Sequence, residues 1–439
     1  NMGTALQDMG DLSAAIDSYK QALKIKPDFA HAYNNMGLSL KAKGELEAAI
    51  DSYKQALKIK PDFAHAYNNM GLSLKAKGDL EAALESYKQA LKISPDFTEA
   101  YLSMGNALKG LVFNTPNSDL IALIVSLLDK KTSCRPKDIA PAAISLLKLE
   151  PTLKALLENY SAGNGGQSVQ KTIVVLSELS ILLKLMSVCP VADLELEDVF
   201  VNVRSALLSI VFKLPHSSEI LRFQSALALQ CFTNEYIYNQ SDKETELLKE
   251  LKGVVEKILA NGQQPSPHVI LCLACYKALH GYEWCDVLTV NADIEEVFVR
   301  QVLEPKAESR LTAGIPVLKE ITDNVSSKVR EQYEKNPYPR WLNLGLDLNP
   351  VPLSKVTKEL KLKLSDNTIN QVEALNILIA GCGTGQHSIG TASRFKDCNV
   401  LAIDLSLSSL AYAKRKTKEL GLQNIDYMQA DILDLGNLD

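Results

Sequence analysis

Apolar positions keep three different rhythms along this chain. In the first 110 residues, small and apolar side chains return at helical spacing inside a unit that is itself repeated. Residues 14–44 are identical to residues 48–78, a shift of 34 residues. From 111 to about 326 that period is gone, but helical spacing continues over 118–128, 139–147, 169–186, 199–211, 219–232, 244–259 and 267–279. Pro136, Pro151, Pro190, Pro215, Pro265 and the loop Gly163-Asn164-Gly165-Gly166 punctuate those stretches. Towards the end, the short, largely apolar runs 375–380 and 399–403 and a third strand-like stretch at 425–429 alternate with helical stretches at 386–395 and 407–420. Such runs predict parallel strands buried on both faces, and the order β-α-β-α-β is the first half of a doubly wound sheet.

The front repeat carries fixed small and aromatic positions. Met-Gly recurs at Met2-Gly3, Met36-Gly37, Met70-Gly71 and Met104-Gly105. Within one unit Tyr33 is the early aromatic, and Gly37 is the small residue that lets two helices touch. Ala49, Tyr53 and Ala56 knit the second helix to the first, and Pro61 ends it. This pattern resembles the tetratricopeptide repeat (TPR), a helix pair that stacks into a solenoid. The resemblance implies a concave groove for an extended protein or peptide. In this register His31, Asn34, Asn35, Leu38 and Lys41 face the groove, and His65, Asn68, Asn69, Leu72 and Lys75 repeat them. Asn1, Asn35 and Asn69 would form a ladder similar to the asparagine ladder of O-linked N-acetylglucosamine transferases. An amide offers both a donor and an acceptor, which suits a peptide backbone of any sequence. The bland alternative is a solvated polar surface. The chaperone-tail clamp is not matched, because Asn34 and Leu38 stand where it wants lysine and asparagine.

The last stretch carries the candidate chemistry. The apolar run Leu375 to Ala380 feeds Gly381-Cys382-Gly383-Thr384-Gly385, and a helix opens at Gln386. Glycine permits φ > 0 and lets a ligand lie against the backbone, and a helix start offers N–H groups to an anion. Asp404, at the tip of the second run, can accept both hydroxyls of a ribose. Asp431, at the tip of the third, can accept an amino proton from adenine. A dinucleotide fingerprint wants its third glycine one place later, where Gln386 stands. The spacing resembles motif I of class I S-adenosylmethionine-dependent methyltransferases. That resemblance implies S-adenosyl-L-methionine as cofactor, held by Gly381, Cys382, Gly383, Thr384, Gly385 and Gln386. It implies Asp404 and Leu405 at the ribose and Asp431 and Ile432 at the adenine. His387 reads as a helix-surface residue, and no catalytic residue is assigned.

Ahead of that domain stands QYEKNPYPRW, with Pro337 and Pro339 forcing an extended path. The phrase looks like one preceding the methyltransferase domain of bacterial tetratricopeptide-repeat methyltransferases. Tyr338, Arg340 and Trp341 on it form either a lid facing the substrate or a strap anchored to the fold. Cys272, Cys275, His280 and Cys285 have zinc-knuckle spacing, but they lie in an apolar helical run that favours core packing, so no metal is expected.

Composition adds limits. A net charge of −5 gives no general pull toward nucleic acid or an anionic membrane. The longest apolar window, 172–188, is interrupted by Glu178 and Lys184. Eight scattered cysteines show no disulfide framework, which favours a reducing cytoplasmic setting. The expected organisation is a multidomain chain. It has a TPR solenoid at 1–110, an irregular all-α helical domain at 111–326 and a Pro-rich linker or lid at 327–367. The first half of an α/β Rossmann-like class I methyltransferase domain follows at 368–439. The chain opens inside a repeat and stops soon after Asp431, so truncation at both ends, with this stretch inactive by itself, is expected. The expected function is methyl transfer with partner capture by the repeats; the alternative is a non-enzymatic TPR scaffold with a degenerate half-domain. The methyl acceptor is not legible.

Overall fold

The computed structural model describes residues 2–161, 169–335, 337–346, 349–359 and 374–437. Asn1, the glycine loop at 163–166, Asn336 and the expected domain start at 368 lie outside them. The chain divides into two units, Asn1–Leu111 and Val112–Asp439.

In the first unit the helices Met2–Asp8, Leu12–Ile25, Ala30–Lys43, Leu46–Ile59, Ala64–Lys77, Leu80–Ile93 and Thr98–Leu108 pack each on the next. This is the TPR solenoid. The glycine of each Met-Gly pair explains the close approach: a Cβ on Gly37 would lie 2.6 Å from the ring of Tyr53, and one on Gly71 would lie 2.6 Å from that of Tyr87. The helix Ala30–Lys43 ends at Gly44 in the left-handed region (φ 89°), which lets the Glu45 N–H reach back to the Leu40 carbonyl at 2.9 Å. Ala49, Tyr53 and Ala56 are fully buried between helices.

In the second unit a layer of helices precedes a small parallel sheet, β1 (Leu375–Ala380), β2 (Cys398–Asp404) and β3 (Ile425–Gln429), in the order β1-β2-β3. Leu375 pairs with Cys398 and Val400 with Ile425, which brings the ends of β1, β2 and β3 to one edge of the layer. The helices Gln386–Arg394 and Leu407–Glu419 make the crossovers. Val400, Ala402, Ile389, Leu410 and Ala413 form the core between them. This matches a partial Rossmann-like methyltransferase fold.

Two details depart from the helical reading of the middle. The stretch 169–186 is two helices, Val169–Glu178 and Ser180–Val188, broken at Leu179. Both halves pack on the helix Ser218–Thr233; the first also touches the helix Leu194–Ile210 and the second the helices Ser118–Asp129 and Pro136–Lys148. Residues 316–318 extend the sheet. Gln429 donates to the Pro316 carbonyl (2.8 Å), and Leu318 donates to that of Gln429 (2.9 Å). Cys272, Cys275 and Cys285 are buried in the helical layer, and burial pushes the Cys272 thiol up to about 12. Among the described residues no helix is long and apolar enough to cross a membrane.

Candidate functional site

The three glycines of the turn after β1 all have positive φ, at 69° for Gly381, 53° for Gly383 and 87° for Gly385. Their surroundings differ. A Cβ on Gly381 or Gly383 would meet nothing within 4 Å, so both positions present bare backbone to open space. A Cβ on Gly385 would meet that of Ala413 at 2.6 Å, so this glycine serves the packing of one crossover helix on the other. Cys382 is buried in the core, and burial, helped by the Asp404 carboxylate, pushes its thiol far up. The sequence groups five turn residues as one cradle; the structure turns Cys382, Thr384 and Gly385 inward and leaves Gly381 and Gly383 outward. Gln386 is half-buried at the start of the next helix.

Asp404 ends β2 beside the turn. One carboxylate oxygen accepts the Gly383 N–H at 2.8 Å and the other accepts the Ser406 N–H at 3.0 Å. The acid thereby fixes the glycine turn against the β2 tip, and each oxygen keeps lone-pair capacity for a ligand. Asp431, 4% exposed, follows β3 and accepts the Leu433 N–H at 3.0 Å.

These tips border one cavity of about 340 Å3. Gly381 and Gly383 form one end, Asp404 and Leu405 the middle, and Ala430 and Ile432 the other strand tip. Asp431 lies beside Ile432 in the chain but does not line the cavity among the described residues. Its remaining wall comes from outside the sheet: Val329 and Tyr333 on the helix Asn324–Lys335, and Tyr338 on the Pro-rich segment.

That wall is fixed at both ends. The Thr384 hydroxyl donates to the Pro339 carbonyl at 2.8 Å, and the Trp341 indole N–H donates to the Thr384 carbonyl at 2.9 Å. Trp341 is buried, its backbone N–H donates to the Tyr412 hydroxyl at 2.9 Å, and that hydroxyl in turn donates to the Trp341 carbonyl. Arg340 turns away to the helical layer, with Glu235 at 3.1 Å and Glu308 at 3.7 Å, and lies over the Phe232 ring. Burial holds the Glu235 and Glu308 carboxyls above the usual range despite Arg340 beside both and Arg415 beside Glu308. Both readings of the Pro-rich phrase therefore have residues: Trp341 and Arg340 are strap, while Tyr338 is wall. Sequence reasoning missed Glu334. Its carboxylate accepts the Leu407 N–H (2.7 Å) and the Ser408 N–H (3.0 Å), capping the helix that follows Asp404. An acid four residues before Tyr338 carries no pattern that announces this distant partner.

On the repeats, His31 and His65 are exposed and pack tilted across the repeat boundary, His31 on Phe63 at 4.7 Å and His65 on Phe97 at 4.6 Å between ring centres. Asn34 and Asn68 are buried at 6% and 5% exposure. Asn69 donates to the Asn34 side chain at 3.0 Å, and Asn34 donates to that of Asn35 at 3.2 Å, so the amides form a chain between repeats. Asn35 and Asn69 keep a half-buried face. Lys41 and Lys75 are half-buried, burial lowers the pKa of each, and Lys75 donates to the Asn106 carbonyl at 2.8 Å.

Comparison with known proteins agrees with both ends of the chain. Residues 3–44, 37–78 and 72–111 match the TPR repeat family, and residues 377–439 match the methyltransferase domain family. No curated protein matches. Similar solved structures include the first TPR of Spaghetti (RPAP3) bound to the HSP90 peptide SRMEEVD, at 21% identity over 24% of this chain and 84% of that chain, TM-score 0.24. They also include a Thermobaculum terrenum O-GlcNAc transferase mutant, at 25% identity over 30% of this chain and 25% of that one, TM-score 0.26. YrrB, a TPR protein with an unusual peptide-binding site, is 14% identical over 54% of this chain and 91% of that chain, TM-score 0.23.

Proposed function

From TPR repeats at one end and a methyltransferase domain at the other, we infer that the chain binds S-adenosyl-L-methionine as methyl donor and recruits a protein or peptide through its repeats. The observation that carries the cofactor reading is the shared cavity. Gly381 and Gly383, Asp404 and Leu405, and Ile432 border one space of about 340 Å3, within the range of roughly 300–1,000 Å3 usual for small-molecule sites.

The residues fit that ligand. Bare backbone at Gly381 and Gly383, beside the first turn of the helix Gln386–Arg394, suits the amino-acid end. Asp404 suits the ribose hydroxyls, and Leu405 and Ile432 give the base apolar faces, with Asp431 beside them. Asp404 is the one charged side chain lining the cavity among the described residues. A dinucleotide fingerprint wants its third glycine where Gln386 stands, which disfavours a nicotinamide or flavin site. The bound donor supplies an electrophilic methyl on a sulfonium. The protein's part is to orient it and keep water out, which the wall of Val329, Tyr333 and Tyr338 favours.

Isothermal titration tests this directly. The chain is expected to bind S-adenosylhomocysteine at one site, and Asp404→Ala to weaken binding by about tenfold or more. No heat of binding in the parent chain would leave the scaffold reading in its place.

A further inference from the structure

We propose that Tyr338 holds the sulfonium of the methyl donor by a cation–π contact, so that the cavity prefers the charged donor to its neutral demethylated product. The inference rests on the S-adenosyl-L-methionine reading above and goes beyond it, because it gives a residue outside the sheet a role in telling donor from product.

The position of the ring follows from its neighbours. Pro339, next in the chain, is bonded through its carbonyl to the hydroxyl of Thr384, and Trp341 is bonded to the carbonyl of the same residue. Thr384 lies inside the glycine turn, so Tyr338 stands at the turn end of the cavity, which it lines together with Gly381 and Gly383. Tyr333 lines the same wall one residue before Glu334, whose carboxylate is bonded at Leu407 and Ser408. That bond ties the helix that carries Tyr333 to the helix that follows β2. Both aromatics line the cavity, with the chain beside Tyr338 tied to the glycine turn and the chain beside Tyr333 tied to the helix that follows β2.

The chemistry of this end suits a cation. Tyr338 is 55% exposed, so its ring is not consumed by core packing. Arg340, the basic residue nearest to it in the chain on the C-terminal side, is committed to Glu235 and Glu308 and leaves the ring face uncontested. Among the described residues the lining holds two tyrosines and one carboxylate and no cationic side chain. A sulfonium placed there meets an aromatic quadrupole, an attraction that grows as the ligand excludes water from the ring. Methyl transfer removes that charge from the sulfur, so the contact is lost with the reaction and release of the product is eased.

The test compares two ligands that differ by one methyl and one charge. S-adenosyl-L-methionine and S-adenosylhomocysteine are titrated into the parent chain and into the Tyr338→Leu, Tyr338→Phe and Tyr333→Leu variants. Leucine keeps an apolar surface and removes the quadrupole. The expected result is that Tyr338→Leu weakens the donor by about five- to tenfold while the product changes by less than about twofold. Tyr338→Phe keeps the parent ratio, and Tyr333→Leu weakens both ligands alike. Equal loss of both ligands in Tyr338→Leu, or loss of neither, overturns the role of Tyr338 and leaves the cofactor site standing. Failure of the parent chain to bind either ligand overturns the cofactor reading itself.

Discussion

A Cβ on Gly385 would lie 2.6 Å from that of Ala413 and 3.2 Å from its Cα, and the residue sits at φ 87°. Both features oppose any side chain there. Gly381 has the second without the first, since the space around it is open. Gly385→Ala is expected to cost about 2–4 kcal/mol of stability, from left-handed strain plus overpacking, while Gly381→Ala costs about 1–2 kcal/mol from strain alone. Urea denaturation of the two variants measures this, and equal losses would contradict the division of labour. The sequence presents Gly381, Gly383 and Gly385 as one pattern. What separates them is the approach of Ala413, 28 residues further on, which no local spacing reveals.

At the scale of elements, the strongly periodic parts were legible. The helix pairs of the repeats, the strands β1 to β3 and the acids at the ends of β2 and β3 all announce themselves through spacing and turn chemistry. The cavity wall did not. Val329, Tyr333 and Tyr338 come from a helix and an extended segment that look like linker, and only the tertiary contacts of Thr384 and Glu334 bring them to the site. The asparagines were half legible. Their register on the repeat helices is visible in the 34-residue period, but the inward turn of Asn34 and Asn68 is set by the next repeat. If Asn35 and Asn69 contact a peptide backbone, the double variant Asn35→Ala/Asn69→Ala loses about thirtyfold in affinity for extended peptides selected on an array, from two hydrogen bonds of about 1 kcal/mol each. Unchanged capture by a folded double variant would return these residues to the status of solvated surface.

Across the second unit, helical layer and sheet are joined by charge as well as by backbone. Asn343 donates to the Leu128 carbonyl at 2.6 Å, and the Leu344 N–H donates to that of Lys131 at 2.8 Å. Lys131 in turn reaches Glu419 at 2.5 Å, on the far end of the helix Leu407–Glu419, where Lys416 also binds it at 2.9 Å. Burial pushes the Glu419 carboxyl up, but the hydrogen bonds from Lys131 and Lys416 outweigh it and hold the group at about 2. The folded value is depressed below the unfolded value of about 4.3. The stabilisation is therefore present above about pH 4.3 and is lost as the pH falls toward about 2. Glu419→Gln is expected to flatten that acid limb in urea midpoints measured against pH; a parent-like slope in the variant would contradict the assignment.

One cavity, shared by the glycine turn, the β2 and β3 tips and the aromatic wall, carries the functional reading of the whole molecule. Hydrogen exchange with and without saturating S-adenosylhomocysteine tests it most directly. Slowed exchange is expected at 380–386, 403–409 and 430–433 and along 329–341, with the repeats at 2–108 unchanged. Unaltered exchange at the turn and at the β2 tip under saturating ligand would contradict it.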